Sequence, residues 1–109
     1  MTWTTVCTLD DLAVDRGVAA LVDGHQVAIF RLATGEVYAI DHRDPFSGAN
    51  VMARGLVGTR GDVQTVASPI YKQVFSLETG ACLDDDAVAV RSWPVRVIDG
   101  VVKVEAGGT

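Results

Sequence analysis

The sequence predicts a small all-β fold, a sandwich or barrel of short antiparallel strands. Turn residues recur about every 8–12 positions, and no long stretch shows helical periodicity. The strongest signals are Asp23-Gly24 and Asp99-Gly100, each of which lies between two apolar runs. Asp-Gly in this setting is typical of a two-residue hairpin turn, because both residues tolerate positive φ.

Runs rich in β-branched and aromatic residues predict the individual strands. In chain order they are Trp3–Cys7, Val18–Val22, Gln26–Leu32, Val37–Asp41, Asp62–Ser68, Val74–Leu77, Pro94–Ile98 and Val101–Glu105. Between the first two runs, Thr8 is expected to begin one helical turn that ends near Gly17. Further turns are expected at Thr34-Gly35 and Thr79-Gly80.

The segment from His42 to Gly61 interrupts this pattern with one proline and several glycines. It predicts a long irregular loop, and such loops in compact domains usually carry function. The glycine-rich stretch from Gly55 to Gly61 lacks the Lys-Ser/Thr of a phosphate-binding loop and is expected to be mobile and turn-rich.

Length and charge limit the functional classes. The 109 residues fit one domain, 1–109, in which residues 106–109 are expected to form a frayed tail. A net charge of −5 argues against nucleic acid as a partner. The sequence has neither a long apolar span nor an export signal, so we expect a cytoplasmic protein that does not bind membranes.

The chemistry-bearing side chains do not group as metal ligands. His25, His42, Cys7 and Cys82 are the only histidines and cysteines, and no two lie within five positions of each other. A structural zinc site usually needs about four such ligands in close pairs. The cysteines are expected to be small buried or surface residues, His25 an exposed hairpin residue, and 84–86 (Asp-Asp-Asp) a solvated acidic turn.

A hydrolase is a competing hypothesis. His42 lies in the irregular segment beside Asp41 and Asp44, and Ser47 and Ser68 are near in sequence. A catalytic Ser-His-Asp set could be assembled from these residues, although no G-x-S-x-G nucleophile turn is present.

Two segments resemble the cluster-binding loops of Rieske iron–sulfur domains. In that family one loop reads Cys-x-His, and the second reads Cys-Pro-x-His before a strand that ends in Phe-x-Leu and x-Thr-Gly. The corresponding segments here are 44–49 (DPFSGA) and 68–80 (SPIYKQVFSLETG). The resemblance implies a Rieske-like β fold.

The ligands of that family are replaced in this sequence. Asp44 and Phe46 stand at the first Cys and His positions, and Ser68 and Tyr71 stand at the second pair. A Rieske cluster needs two thiolates and two imidazoles, so the sequence predicts no iron–sulfur cluster in this chain. Together with the scattered histidines and cysteines and the missing nucleophile turn, it also predicts no other metal and no catalytic residue.

The combination is similar to the small-subunit family of assimilatory NAD(P)H-dependent nitrite reductases. The stretches 37–58 and 66–85 carry most of the likeness, and 3–12, 27–31 and 93–97 also fit. The resemblance implies an accessory, non-catalytic subunit in nitrate assimilation. Its partner would be a large subunit that holds FAD, a [4Fe–4S] cluster and siroheme and reduces nitrite to ammonium.

The resemblance also suggests where that partner binds. The candidate contact residues are Asp44, Pro45, Phe46, Arg54, Pro69, Tyr71 and Lys72. Two of these residues, Arg54 and Lys72, could form a local positive patch together with Arg43 and Arg60. An equally open alternative is that Phe46 and Tyr71 fill the former cluster pocket as core residues. Competing functions are a cluster-free adaptor of another oxidoreductase and a Rieske-type ferredoxin carrying electrons.

Overall fold

The computed structural model describes residues 2–106, which form ten short β-strands and two single turns of 3₁₀ helix. In chain order the strands are β1 (Thr2–Thr8), β2 (Arg16–Val22), β3 (His25–Arg31), β4 (Val37–Asp41), β5 (Leu56–Arg60), β6 (Val63–Ala67), β7 (Val74–Ser76), β8 (Ser92–Trp93), β9 (Val95–Ile98) and β10 (Val101–Ala106). The 3₁₀ turns span Leu9–Asp11 and Met52–Arg54. Neither turn, nor any other helix within 2–106, is long and apolar enough to cross a membrane.

The strands pair antiparallel in three sheets, which confirms the all-β prediction. The strand orders are β1-β10-β9, β2-β3-β4-β8 and β5-β6-β7. Both predicted Asp-Gly hairpins are present. Asp23 and Gly24 connect β2 to β3 with φ of 50° and 80°, and Asp99 and Gly100 connect β9 to β10 with φ of 52° and 76°. Positive φ at both positions is what a type I′ turn requires.

One sequence-based expectation was wrong, and a second was wrong at its first residue. Residues 56–60 form β5, which pairs with β6, and are not part of a turn-rich loop. The flanking glycines serve the hairpin: Gly61 turns it with φ of 62°, and a side chain at Gly55 would press on the carbonyl oxygen of Ala67. At the other end, Ala106 is a buried residue of β10 paired with Thr2, and the rest of the expected tail lies outside the described residues.

Buried side chains form two cores that share β3. Val27 and Ile29 face the core formed with β1, β8 and β10, whereas Ala28 and Phe30 face the core formed with β6 and β7. All four side chains are 0% exposed, because neighbouring residues of a strand point to opposite faces and both faces are covered here. The second of these cores supports the irregular segment through Met52, which is also fully buried.

Both cysteines and the acidic run lie as the sequence suggested. Cys82 is a buried residue of the core beside β7, and Cys7 is half-buried against the other core. The run 84–86 is an exposed turn, but Asp84 has a structural role that the sequence did not indicate. Its carboxylate accepts hydrogen bonds from Arg60, at 3.0 Å, and from the backbone N–H of Val74.

Candidate functional site

Two loops on the core beside β6 and β7 form the candidate site. Loop 1 comprises residues 42–54, between β4 and β5, and loop 2 comprises residues 68–73, between β6 and β7. Each loop is closed by its own backbone hydrogen bonds. In loop 1, the N–H of Gly48 donates to the Asp44 carbonyl at 2.7 Å, and in loop 2, the N–H of Lys72 donates to the Ser68 carbonyl at 3.1 Å. Gly48 and Lys72 adopt positive φ, which makes both turns tight.

A buried hydrogen bond joins the two loops. Ser68 Oγ donates to Asp44 Oδ2 at 2.5 Å, and both residues are 0% exposed. The second carboxylate oxygen, Oδ1, accepts the backbone N–H of Phe46 at 2.9 Å. Ser68 Oγ also accepts the N–H of Ile70 at 3.3 Å. The two positions that would hold the cysteines of a Rieske domain are thus linked directly to each other, and we call this contact the loop bridge.

The surroundings keep the buried Asp44 carboxylate ionised. Burial by itself raises the pKa of Asp44, but hydrogen bonds from Ser68, Phe46 and Ser47 outweigh burial and hold the pKa below its ordinary value. Hydrogen bonds to a charged acceptor are stronger than those between neutral groups. The loop bridge is therefore a charge-assisted contact at neutral pH.

The two former histidine positions have different environments. Phe46 is half-buried and packs on the core, with its ring centroid 6.2 Å from that of Phe75. Tyr71 is 60% exposed. Phe46 therefore acts as a packing residue between loop 1 and the core, whereas the Tyr71 ring is available to a partner.

These residues do not fit a [2Fe–2S] cluster. At the four ligand positions Asp44 and Ser68 offer oxygen atoms that are already bonded to each other, and Phe46 offers no donor atom. Cys7 and Cys82 lie in β1 and beside β7, outside both loops. Within residues 2–106 no three His, Cys, Asp or Glu side chains are grouped so that they could hold a metal ion.

The candidate hydrolase residues are engaged in other contacts. His42 is 7% exposed, and its Nδ1 accepts the backbone N–H of Ala53 at 3.1 Å. Burial, and then the positive charge of Arg54, lowers the pKa of His42, so the ring is neutral at pH 7. Asp41 accepts the indole N–H of Trp93 at 2.9 Å, while Asp44 and Ser68 form the loop bridge. These contacts orient loop 1 and argue against a catalytic triad.

The exposed part of the two loops is positively charged. We call it the loop face and define it by the exposed residues Arg43, Pro45, Arg54, Ile70, Tyr71 and Lys72; Gly48 and Asn50 of loop 1 are also exposed. The only carboxylate in either loop, that of Asp44, is buried, although the whole chain carries a net charge of −5. Among the proposed contact residues, Asp44 therefore supports the loop face from inside, and Phe46 and Pro69 are half-buried beneath it.

One member of the suggested positive patch belongs elsewhere, and one exposed apolar residue of the loops was missed. Arg60 lies in β5 and forms an ion pair with Asp84. Ile70 is 41% exposed beside Tyr71, so the loop face has an apolar part that the sequence did not indicate. Ile70 stands alone between Pro69 and Tyr71, so no hydrophobic periodicity shows from the sequence whether it is buried or exposed.

Comparisons with known proteins agree with this geometry. Residues 2–105 match the model of the Rieske-like [2Fe–2S] domain family. The chain is 43% identical to the nitrite reductase (NADH) small subunit of Salmonella typhimurium, over 94% of this chain and 95% of that protein. A crystal structure assigned as an NADH-dependent nitrite reductase small subunit from Mycobacterium tuberculosis is 50% identical, with a TM-score of 0.95, covering 99% of this chain and 97% of that chain. The nitrite reductase [NAD(P)H] large subunit of Klebsiella oxytoca contains a region 42% identical to 94% of this chain, which is 11% of that protein.

Proposed function

Because this chain belongs to the Rieske-like family and, within it, to the nitrite reductase small subunits, we propose that it is the non-catalytic small subunit of an assimilatory nitrite reductase. The observation that carries the proposal is the loop bridge. Asp44 and Ser68 keep the two loops closed in the Rieske arrangement, although the ligand positions cannot hold a cluster. Retained loops without redox chemistry fit a role in assembling or supporting another subunit.

The partner in this proposal is the large subunit, which binds FAD, a [4Fe–4S] cluster and siroheme and reduces nitrite to ammonium with NAD(P)H in the cytoplasm. The Klebsiella oxytoca large subunit supports this choice, since it carries a similar region within its own chain. A fused domain of this kind favours the large subunit over an unrelated oxidoreductase as partner. This chain then acts as one Rieske-like domain, consistent with the family match over residues 2–105.

The loop face is the proposed docking surface. Tyr71 and Ile70 supply exposed ring and aliphatic area, and aromatic residues are enriched at the centres of interfaces. Arg54 and Lys72 supply positive charge, which would steer association with an acidic surface of the large subunit. Pro45 and Pro69 stiffen the loops, so that less conformational entropy is lost on binding.

The test is NAD(P)H-dependent nitrite reduction by the matching large subunit, with and without saturating amounts of this chain, together with co-elution of the two. We expect the two proteins to co-elute, and the rate or the lifetime of activity to depend on the chain. Equal activity and lifetime without the chain, combined with separate elution, would refute the proposal.

The docking surface is tested by two variants in the same assay. Tyr71→Ala and Lys72→Glu should weaken association, because both side chains are exposed on the loop face. The control is Lys103→Glu, which changes the net charge equally but lies on β10, outside the two loops. Equal affinity for all three variants would place the docking surface elsewhere.

A further inference from the structure

A surface cavity of about 340 Å³ adjoins the loop face on the side of β2. Its walls are residues 15–17, at the start of β2, and residues 53–56, where loop 1 passes into β5. Gly17 brings these two segments together, since a side chain at that position would overlap the backbone of Ala53 and the ring of Phe30. The cavity is therefore built by a close backbone approach.

Two arginines line this cavity, Arg16 on one wall and Arg54 on the other. Both residues are exposed, and neither side chain forms a hydrogen bond or an ion pair with the residues that the structure describes. Other arginines of the chain are engaged. Arg60 pairs with Asp84, and Arg31 donates to two backbone carbonyl groups. We call the space between residues 15–17 and 53–56 the arginine cavity.

The remaining walls indicate what kind of group the arginine cavity accepts. Leu56 is 79% exposed and gives the cavity an apolar rim. Asp15 also lines it, and its carboxylate Oδ1 accepts the backbone N–H of Ala33 at 3.2 Å. Arg16, Arg54 and Asp15 together leave one net positive charge on the cavity lining, which a doubly charged phosphate exceeds. A single carboxylate with apolar neighbours balances that charge and matches the leucine rim.

We infer that the arginine cavity receives an acidic side chain, Asp or Glu, from the large subunit, and that this contact fixes the orientation in which the loop face docks. The inference rests on the proposed function and names a recognition site beside the proposed surface. An arginine can bind a carboxylate through two parallel hydrogen bonds, so a pair of arginines restricts both position and direction. Arg54 belongs to loop 1 and lines the cavity, so the two surfaces are continuous.

The experiment measures the dissociation constant of the full chain for its purified large subunit, at two salt concentrations. The variants are Arg16→Glu, Arg54→Glu and the double variant, with Lys103→Glu as the control of equal charge change. Each cavity variant should weaken binding about 10-fold or more, and the control about 2-fold or less. Arg54→Lys should retain part of the affinity, because an ammonium group keeps the charge but loses the planar double contact. Thermal unfolding of each variant shows that the fold is retained.

The outcomes distinguish a failure of the arginine-cavity inference from a failure of the proposed function. If the wild-type chain binds the large subunit and the cavity variants bind as tightly as Lys103→Glu, the inference is wrong while the proposed function stands. If the wild-type chain does not bind at all, the proposed function fails, and the inference fails with it. If inorganic phosphate displaces the large subunit more than chloride of equal ionic strength, the cavity is a small-anion site, and the acidic-segment inference is overturned.

Discussion

Removing the Ser68 hydroxyl should destabilise the protein measurably, because the loop bridge is fully buried. In Ser68→Ala, the Asp44 carboxylate loses the donor that lies 2.5 Å from Oδ2, and the N–H of Ile70 loses its acceptor. A hydrogen bond to a charged group contributes about 1.5–3 kcal/mol. Asp44 retains its bond from Phe46, so we expect the free energy of unfolding to fall by about 2–3 kcal/mol.

The measurement is urea denaturation followed by tryptophan fluorescence, to which Trp93, 3% exposed, contributes a buried signal. Ser92→Ala is the matched control, since the Ser92 hydroxyl forms no hydrogen bond with the residues that the structure describes. The free energy of unfolding of Ser92→Ala should differ from that of the wild type by no more than about 0.5 kcal/mol. A loss for Ser68→Ala no larger than that of the control would refute the claim that the loop bridge holds the loops together.

The loop bridge also makes a pH prediction with a definite sign. The folded-state pKa of Asp44 is lowered, so its contribution to stability is fully present above the unfolded pKa of about 3.9 and is lost as the pH falls through the lower folded value. Asp44→Asn, which keeps the shape but not the charge, should cost about 1–2 kcal/mol at pH 7. That difference from the wild type should shrink as the pH falls below about 4. A constant difference across this range would show that Asp44 is not ionised in the fold.

Three further substitutions test packing and surface. Gly80→Ala should destabilise the protein by about 3 kcal/mol or more in urea titrations, because φ is +81° and the new side chain would overlap the Val90 carbonyl. Phe46→Ala should cost about 2 kcal/mol in the same assay, since a half-buried ring loses its contact with Phe75. Tyr71→Ala should leave the unfolding midpoint nearly unchanged, because the ring is 60% exposed, while its affinity for the large subunit falls.

Local signals were sufficient where neighbouring residues determine the conformation. Asp23-Gly24 and Asp99-Gly100 were identified as hairpin turns because Asp-Gly tolerates positive φ, which the structure shows at both. The segment 55–61 was wrongly predicted to be a loop, because Gly55 is required by a contact with a residue distant in the sequence. A side chain at Gly55 would meet Ala67, a residue of the neighbouring strand, and sequence alone gives no measure of that approach.

The candidate site, too, could be predicted from the sequence only in part. The four former ligand positions could be read from the spacing of the two loop segments, but the bond from Ser68 to Asp44 could not. Those residues are 24 positions apart, and their contact depends on how β4 and β6 deliver the loops to one place. The arginine cavity was missed for the same reason, since Arg16 and Arg54 share it only through the packing of β2 on the turn Met52–Arg54.

Loss of the cluster ligands changes what holds the loops, and this bears on how the chain can act. In a Rieske domain, metal–ligand bonds from both loops join them through the cluster. Here the loop bridge and the contact of Phe46 with Phe75 replace those bonds with interactions of the chain itself. The loop face is therefore held in place by contacts between the chain's own residues. A surface that is ordered before binding loses less conformational entropy on association, so under the proposed function these contacts favour docking of the loop face on the large subunit.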